Sequence, residues 1–443
     1  MSITPKLTRF DLSMIVVSLV IGMGIFAAPA EVAKMSGNPY LYFGAWLLGG
    51  AVSLCGALTF AEIGARYPTT GGFYKVFSFC FHPAFAFMIN WVLVISNAAS
   101  VAAVALIGAE YINPVIMPRS LQNDTGLKIM TIGSVLILYI INYLGIKMSA
   151  RTQNVLTLFK IGMILILCAA VFKGNITQAD HIIGHHNAKG IGAFGLSLVA
   201  VFFTYGGYQQ TINFGGDIIN AKVNIPKAIF FGIATVISLY MLINFAYYST
   251  LGLSGLQQKT TLAATLAGVL FGTAGYKIVS LLMFVSVLAF VNVNIMANPR
   301  VYYAMAEDGI LPARFKHVNS QTQVQEFGLS FFVGAVLVIL FFAGSFQKIL
   351  SYVMFFDTIG LSTAALSIFI LRRKTKHLNH TGIYSMKWYP LIPVIFIITY
   401  WFVTISIFID NPQAALICIL AFIAGLIIYF VTKKRTQKPY TAP

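Results

Sequence analysis

Two glycines one residue apart interrupt the apolar stretch Val20-Ile21-Gly22-Met23-Gly24-Ile25-Phe26, within a segment that carries no charge from Leu12 to Ala30. Glycine costs a helix about 1 kcal/mol relative to alanine and leaves its backbone unshielded. A backbone opened inside lipid is tolerated only where its N–H and C=O groups line a protein cavity and bind something. The half-helix that starts after such a break aims its positive end at an anionic group. A glycine face for close helix packing is the alternative. A second chemical group stands in the stretch Thr152 to Phe172, where Lys160 lies near the middle with no acid in the segment to pair with it. A charge at mid-bilayer costs about 2.5–3.5 kcal/mol on insertion scales, so it is read as functional, and it lies too far from either end for its stem to reach an interface easily. Asp357, in Phe355-Phe356-Asp357-Thr358-Ile359-Gly360, is the one clear mid-span acid. Contact with Lys160, contact with a ligand and capping of a local break all remain open for it. No group of His, Cys, Asp and Glu residues shows catalytic spacing in the spans, which argues against an enzyme. The absence of an extramembrane domain argues against a receptor.

These residues must be placed by membrane-spanning helices. Hydrophobic residues make up 58% of the 443, charged residues 9%, and the mean hydropathy is +0.83, values outside the range of soluble globular chains. Twelve apolar spans are expected, at roughly 11–33, 40–65, 84–112, 127–145, 152–172, 191–216, 227–250, 276–304, 327–343, 349–371, 389–409 and 412–431, each near the roughly 20 residues that cross a bilayer. A net charge of +17 would otherwise point to nucleic acid. With the N-terminus in the cytoplasm, however, 20 of the 29 basic residues fall in inside segments and 8 outside, with Lys160 within a span. The positive-inside rule thus puts both termini in the cytoplasm and accounts for the charge. The first apolar run is too long for a cleavable signal. Cys55, Cys80, Cys168 and Cys418 lack metal-ligand spacing and read as packed small hydrophobes. His181, His185 and His186 read as a solvated loop rather than a metal site.

The sixth span repeats the theme of the first. Phe202-Phe203-Thr204-Tyr205-Gly206-Gly207-Tyr208-Gln209-Gln210 sets a glycine pair among polar and aromatic groups inside an apolar stretch. Interruptions in the first and sixth spans fall at matching positions of two five-span halves, as expected of an inverted repeat whose halves meet at one central binding site of a transporter.

The order and spacing of further segments carry a resemblance. They are Ile21-Gly22-Met23-Gly24-Ile25-Phe26, Ala61-Glu62 leading to Pro68-Thr69-Thr70-Gly71-Gly72-Phe73-Tyr74, Phe159-Lys160, Phe203-Thr204-Tyr205-Gly206-Gly207-Tyr208, Asn224-Ile225-Pro226-Lys227-Ala228-Ile229, Asn244-Phe245-Ala246-Tyr247 and the run Arg300 to Pro312. Over roughly residues 8 to 375 the chain resembles the amino acid-polyamine-organocation superfamily, closest to bacterial, sodium-independent members like the L-type amino-acid transporters. The resemblance implies an all-α polytopic fold of twelve transmembrane helices with a five-plus-five inverted repeat and broken helices 1 and 6. Residues 1–443 then form one transport domain, with repeat one at about 8–173, repeat two at about 190–372, extra helices at about 389–432 and a basic tail at 433–443.

The resemblance further implies alternating-access transport of amino acids. The carboxylate is expected on the amides of Gly22, Met23 and Gly24, the ammonium on carbonyls near Ile21 and Phe203, and Phe203 is expected as a gate. Thr204, Tyr205, Gly206 and Tyr208 complete the expected substrate site. Lys160 matches the lysine that stands in place of a sodium ion, with Ser286 and Tyr247 as its expected neighbours and Asp357 added to the coupling group. Met23, where many members have a small hydroxyl residue, removes one carboxylate contact. Tyr208 replaces a tryptophan common in animal members, and Ala221 after Asn220 breaks their usual Asn-Pro. The outer segment Asn113 to Gly126 contains no cysteine, so a disulfide to an accessory glycoprotein is not expected there. A bacterial cytoplasmic-membrane protein without cofactor, metal or nucleic acid fits these features. A carrier of polyamines or other organic amines, and an amino-acid sensor on a transporter scaffold, are the competing readings.

Overall fold

The computed structural model describes residues 4–172, 191–258, 262–342, 346–376, 383–410 and 412–432. The cluster His181, His185 and His186 and the basic tail lie outside the described residues. The elements are helices: α1 (Arg9–Val20), α2 (Gly24–Ser36), α3 (Pro39–Arg66), α4 (Gly72–Cys80), α5 (Pro83–Ile116), α6 (Asp124–Tyr143), α7 (Ile146–Cys168), α8 (Ile191–Tyr205), α9 (Ala221–Gln258), α10 (Leu262–Phe271), α11 (Gly275–Glu307), α12 (Glu326–Phe342), α13 (Phe346–Lys374), α14 (Leu391–Asp410) and α15 (Pro412–Thr432). Among the described residues, eight helices are long and apolar enough to cross a membrane, and α1 with α2, bent by 42° at their break, makes a ninth. α12 and α15 are shorter apolar helices. The chain is thus an all-helical, multi-pass membrane protein.

Local sequence sets the helix starts. Thr8 and Asp11 form a reciprocal capping box on α1, while Asn38, His82 and Asn123 accept from first-turn N–H groups of α3, α5 and α6, satisfying donors that the helix itself cannot. Three details go beyond the periodicity. The segment after Pro68 is not all loop: Gly71 takes φ +67° and starts the short, buried helix α4. The apolar run of α9 continues beyond residue 250 and turns at Gly252, φ +65°. The sixth span stops being α-helical at Tyr205 and resumes as a 3-10 segment, Tyr208–Asn213.

Charges are concentrated at the end that carries the N-terminus. The buried Glu62 carboxylate of α3 accepts from Arg66 at 2.6 Å, from Arg372 of α13 at 2.7 and 2.8 Å and from the Met386 amide at 2.8 Å. Arg300 of α11 pairs with Asp217 at 2.8 and 3.1 Å, and Lys75 of α4 with Asp308 at 2.7 Å. Leu7 bridges to Ile218 and Thr70 to Phe214. Buried charges need such partners to remain ionised, so these pairs tie α3, α4, α11, α13 and the segment after α8 together.

The two interrupted spans touch where side chains are missing. A Cβ on Gly24 would stand 2.9 Å from Thr204 Oγ1 and 3.2 Å from Thr204 Cα, so the start of α2 and the end of α8 approach as only glycine allows. Gly24→Ala is therefore expected to destabilise the protein by roughly 1–3 kcal/mol, the range for overpacking. Gly44→Ala, with nothing within 4 Å of the new methyl, serves as the control. Thermal melts of the purified variants check this, and equal melting temperatures would contradict so close a crossing.

Candidate functional site

At the first break, the Ile21 amide donates to the Val17 carbonyl and the Gly22 amide to the Val20 carbonyl, both at 2.8 Å. Helix α2 then begins at Gly24 with Met23 in front of it and no side chain capping its start. The Phe26 amide donates to the Met23 carbonyl at 3.1 Å, which leaves the N–H groups of Gly24 and Ile25 available to an anion, and the helix dipole adds to their field. At the second break, α8 ends at Tyr205 and Gly207 takes φ +115°. A Cβ on Gly207 would lie 2.2 Å from the Leu19 carbonyl oxygen, so the end of α1 rests directly on this turn. Tyr240 of α9 holds both breaks: its buried hydroxyl lies 3.0 Å from the Val20 carbonyl and 3.0 Å from the Thr204 carbonyl.

These two backbone openings face one cavity of about 100 Å³. Gly22, Met23 and Gly24 contribute from the first break and Phe203, Thr204 and Gly206 from the second. Asn97 and Ser100 of α5, Phe290 and Asn294 of α11, and Asp357 and Leu361 of α13 line other parts of the wall. A smaller cavity of about 30 Å³ shares Asn97, Gln209, Gln210, Asp357 and Leu361 with it and extends to Phe73, Asn213 and Asn298, toward the end closed by the ion pairs. An uncapped helix start, carbonyls at a helix end and a mixed polar and aromatic wall suit a small zwitterion.

Lys160 is fully buried in α7 and does not line either cavity. Its ammonium donates to the Ile21 carbonyl at 2.5 Å and lies 3.4 Å from Ser18 Oγ. It thus sits behind the first break and grips the carbonyl that unwinding sets free. One turn earlier on α7 a polar chain begins. Thr157 accepts from Gln153 at 3.1 Å, Gln153 accepts from Asn292 of α11 at 2.8 Å, and Asn292 accepts from Asn142 of α6 at 2.7 Å.

Of the remaining residues singled out by sequence, Ser286, Tyr247, Tyr205 and Tyr208 lie apart from the cavity. Ser286 and Tyr247 are buried, and neither hydroxyl has a hydrogen-bond partner, so they are not bonded to Lys160. Tyr205 packs between Trp46 and Tyr240, at ring separations of 6.0 and 5.0 Å. Tyr208 packs on Phe60 behind the wall. Asp357 reaches the cavity but forms no ion pair with Lys160. Asn97, Asn294 and Ser18 received no role from the sequence, although each is a polar residue within or beside an apolar span, which is itself a signal, and Gln210 was read only among the polar groups of the second break. Tyr240 left no such signal, since an aromatic residue in an apolar helix reads as packing.

Comparison with known proteins agrees with this geometry. Residues 7–416 match the model of a family described as amino acid permease. The chain is 31% identical over 435 residues to the serine/threonine exchanger SteT of Bacillus subtilis (strain 168), covering 95% of each. It is 23% identical to the Asc-type amino acid transporter 1 of Homo sapiens, covering 96% of this chain and 82% of the relative. It is 25% identical to the b(0,+)-type amino acid transporter 1 of Mus musculus, covering 94% and 85%. These relatives are transporters rather than enzymes, and the chain belongs to the amino acid permease family of the amino acid-polyamine-organocation superfamily, related to the L-type transporters.

Proposed function

We propose that this protein carries amino acids across the bacterial cytoplasmic membrane by alternating access, without sodium. The observation that carries this reading is the convergence of an uncapped helix start at Gly24 and the end of α8 on one cavity. In that arrangement the substrate's carboxylate takes the amides of the first turn of α2, and its ammonium takes carbonyls at Phe203 and neighbouring positions. Phe203, on the cavity wall, covers the ligand in the occluded state. Twelve spans, five plus five in inverted repeat within one domain, account for two breaks meeting at one point, and place both termini in the cytoplasm. Lys160 supplies the fixed positive charge that a bound sodium ion would otherwise place behind the first break. Its bond to the Ile21 carbonyl gives it different contacts in any state where α1 moves against α7, and differential contact is what shifts conformational populations. No disulfide-linked accessory subunit enters this reading.

Two outcomes follow. Both charged ends of the substrate must be free, so amino-acid amides and N-acetylated amino acids are expected not to compete with uptake of a labelled amino acid into proteoliposomes. Competition by either class at the level of the parent amino acid would refute the assigned polarity. Replacing external sodium by choline is expected to leave uptake unchanged, and a strong dependence on sodium would remove the role given to Lys160.

A further inference from the structure

The cavity holds a carboxylate that the protein leaves without a cation. Asp357 lines both cavities and makes no hydrogen bond or ion pair with any described residue. Cations of the surrounding helices are engaged elsewhere: Lys160 on the Ile21 carbonyl, Arg300 on Asp217, and Arg66 and Arg372 on Glu62. An unpaired carboxylate in a site of low dielectric is costly unless a ligand pairs with it.

The amides beside it are oriented by bonds that fix their direction. Asn294 Nδ2 donates to the Phe290 carbonyl at 2.9 Å, and Asn298 Nδ2 donates to the Asn294 carbonyl at 2.9 Å. A carbonyl only accepts, so each of these amides must present its nitrogen there. Asn298 Oδ1 is then the acceptor for Asn97 Nδ2 at 2.8 Å. Two amide acceptors are thereby left without a partner at the larger cavity, Asn97 Oδ1 from α5 and Asn294 Oδ1 from α11, beside the carboxylate of Asp357 from α13, while each Nδ2 keeps one further hydrogen. In the smaller cavity Asn90 likewise spends its nitrogen on the Ala86 carbonyl at 2.8 Å and keeps its oxygen. Spare donors are Gln209 Nε2, Gln210 Nε2 and Asn213 Nδ2 of the 3-10 segment Tyr208–Asn213, with the hydroxyls of Ser100 and Tyr400 on the wall of the larger cavity.

We propose that this site selects amino acids whose side chain ends in a cationic amine, received by Asp357 with Asn97 Oδ1 and Asn294 Oδ1. This rests on reading the cavity as an amino-acid site and adds the class of side chain. A primary ammonium has three donors and no acceptor, which matches three acceptors contributed by three helices. The residues shared by the two cavities let a straight side chain run past Asp357 toward the smaller one. A neutral apolar side chain would bury the carboxylate with nothing to offset its lost hydration, and that penalty is the source of selectivity.

The test is equilibrium binding of ornithine and norvaline, which share the carbon chain and differ by the terminal amine, to the purified full-length protein. Ornithine is expected to bind at least tenfold more tightly than norvaline. Asp357→Asn, which keeps the shape, is expected to abolish that preference, with norvaline binding more tightly than to the unaltered protein because no carboxylate is left to desolvate. Norvaline binding as tightly as ornithine to the unaltered protein would overturn the proposal, and this comparison stands without the variant. An Asp357→Asn protein that keeps the full preference would overturn it too. If neither ligand nor any of the twenty standard amino acids binds, the reading of the cavity as an amino-acid site falls, and this proposal with it.

Discussion

The bond between the Lys160 ammonium and the Ile21 carbonyl is the contact on which the rest of this structure turns. A helix that opens inside a membrane exposes carbonyls that cannot find water, and an unmet buried acceptor costs about 1–3 kcal/mol. A lysine at the same depth faces its own cost of dehydration. Each group meets the other's need at 2.5 Å. The break is thus held open from behind by a cation, which leaves the start of α2 free on the side facing the cavity. The neighbouring Tyr240 hydroxyl, set against the carbonyls of Val20 and Thr204, binds the second break to the first.

Around that centre, the structure separates parts that hold from parts that receive. Ion pairs on Glu62, Asp217 and Asp308 fix the end carrying the N-terminus, where they fasten α3, α4, α11 and α13. The cavity walls contain backbone ends, amides and one carboxylate instead. The polar chain from Asn142 through Asn292 and Gln153 to Thr157 links α6, α7 and α11 below the lysine, so the scaffold behind α1 is braced by directional bonds.

Much of this was legible from the residues because lipid leaves few ways to satisfy a backbone. Gly22 with Gly24, and Gly206 with Gly207, marked both openings, and Lys160 marked itself by being a charge where none is cheap. The asparagines of the wall were less legible. Asn97 and Asn294 lie on different helices, and their common purpose appears only when α5 and α11 come together. Ser286 and Tyr247 were expected beside Lys160 from their position in a pattern; neither hydroxyl is hydrogen-bonded, and the ammonium contacts the Ile21 carbonyl and Ser18 Oγ. The short helix α4 escaped because a glycine pair reads as a turn, whereas Gly71 at φ +67° serves as a turn that starts a helix.

The account's central claim is that the charge of Lys160 acts in the transport cycle and does more than fill space. Uptake by purified Lys160→Met in proteoliposomes, measured beside its melting temperature, tests this most directly. Methionine keeps most of the stem, and neutral apolar bulk is favourable at that depth. The account predicts a folded, inserted protein whose uptake falls at least tenfold, a loss of about 1.4 kcal/mol at the rate-limiting step. Uptake at the unaltered rate would show the charge to be dispensable, and a collapse of the melting temperature would show it to be structural alone.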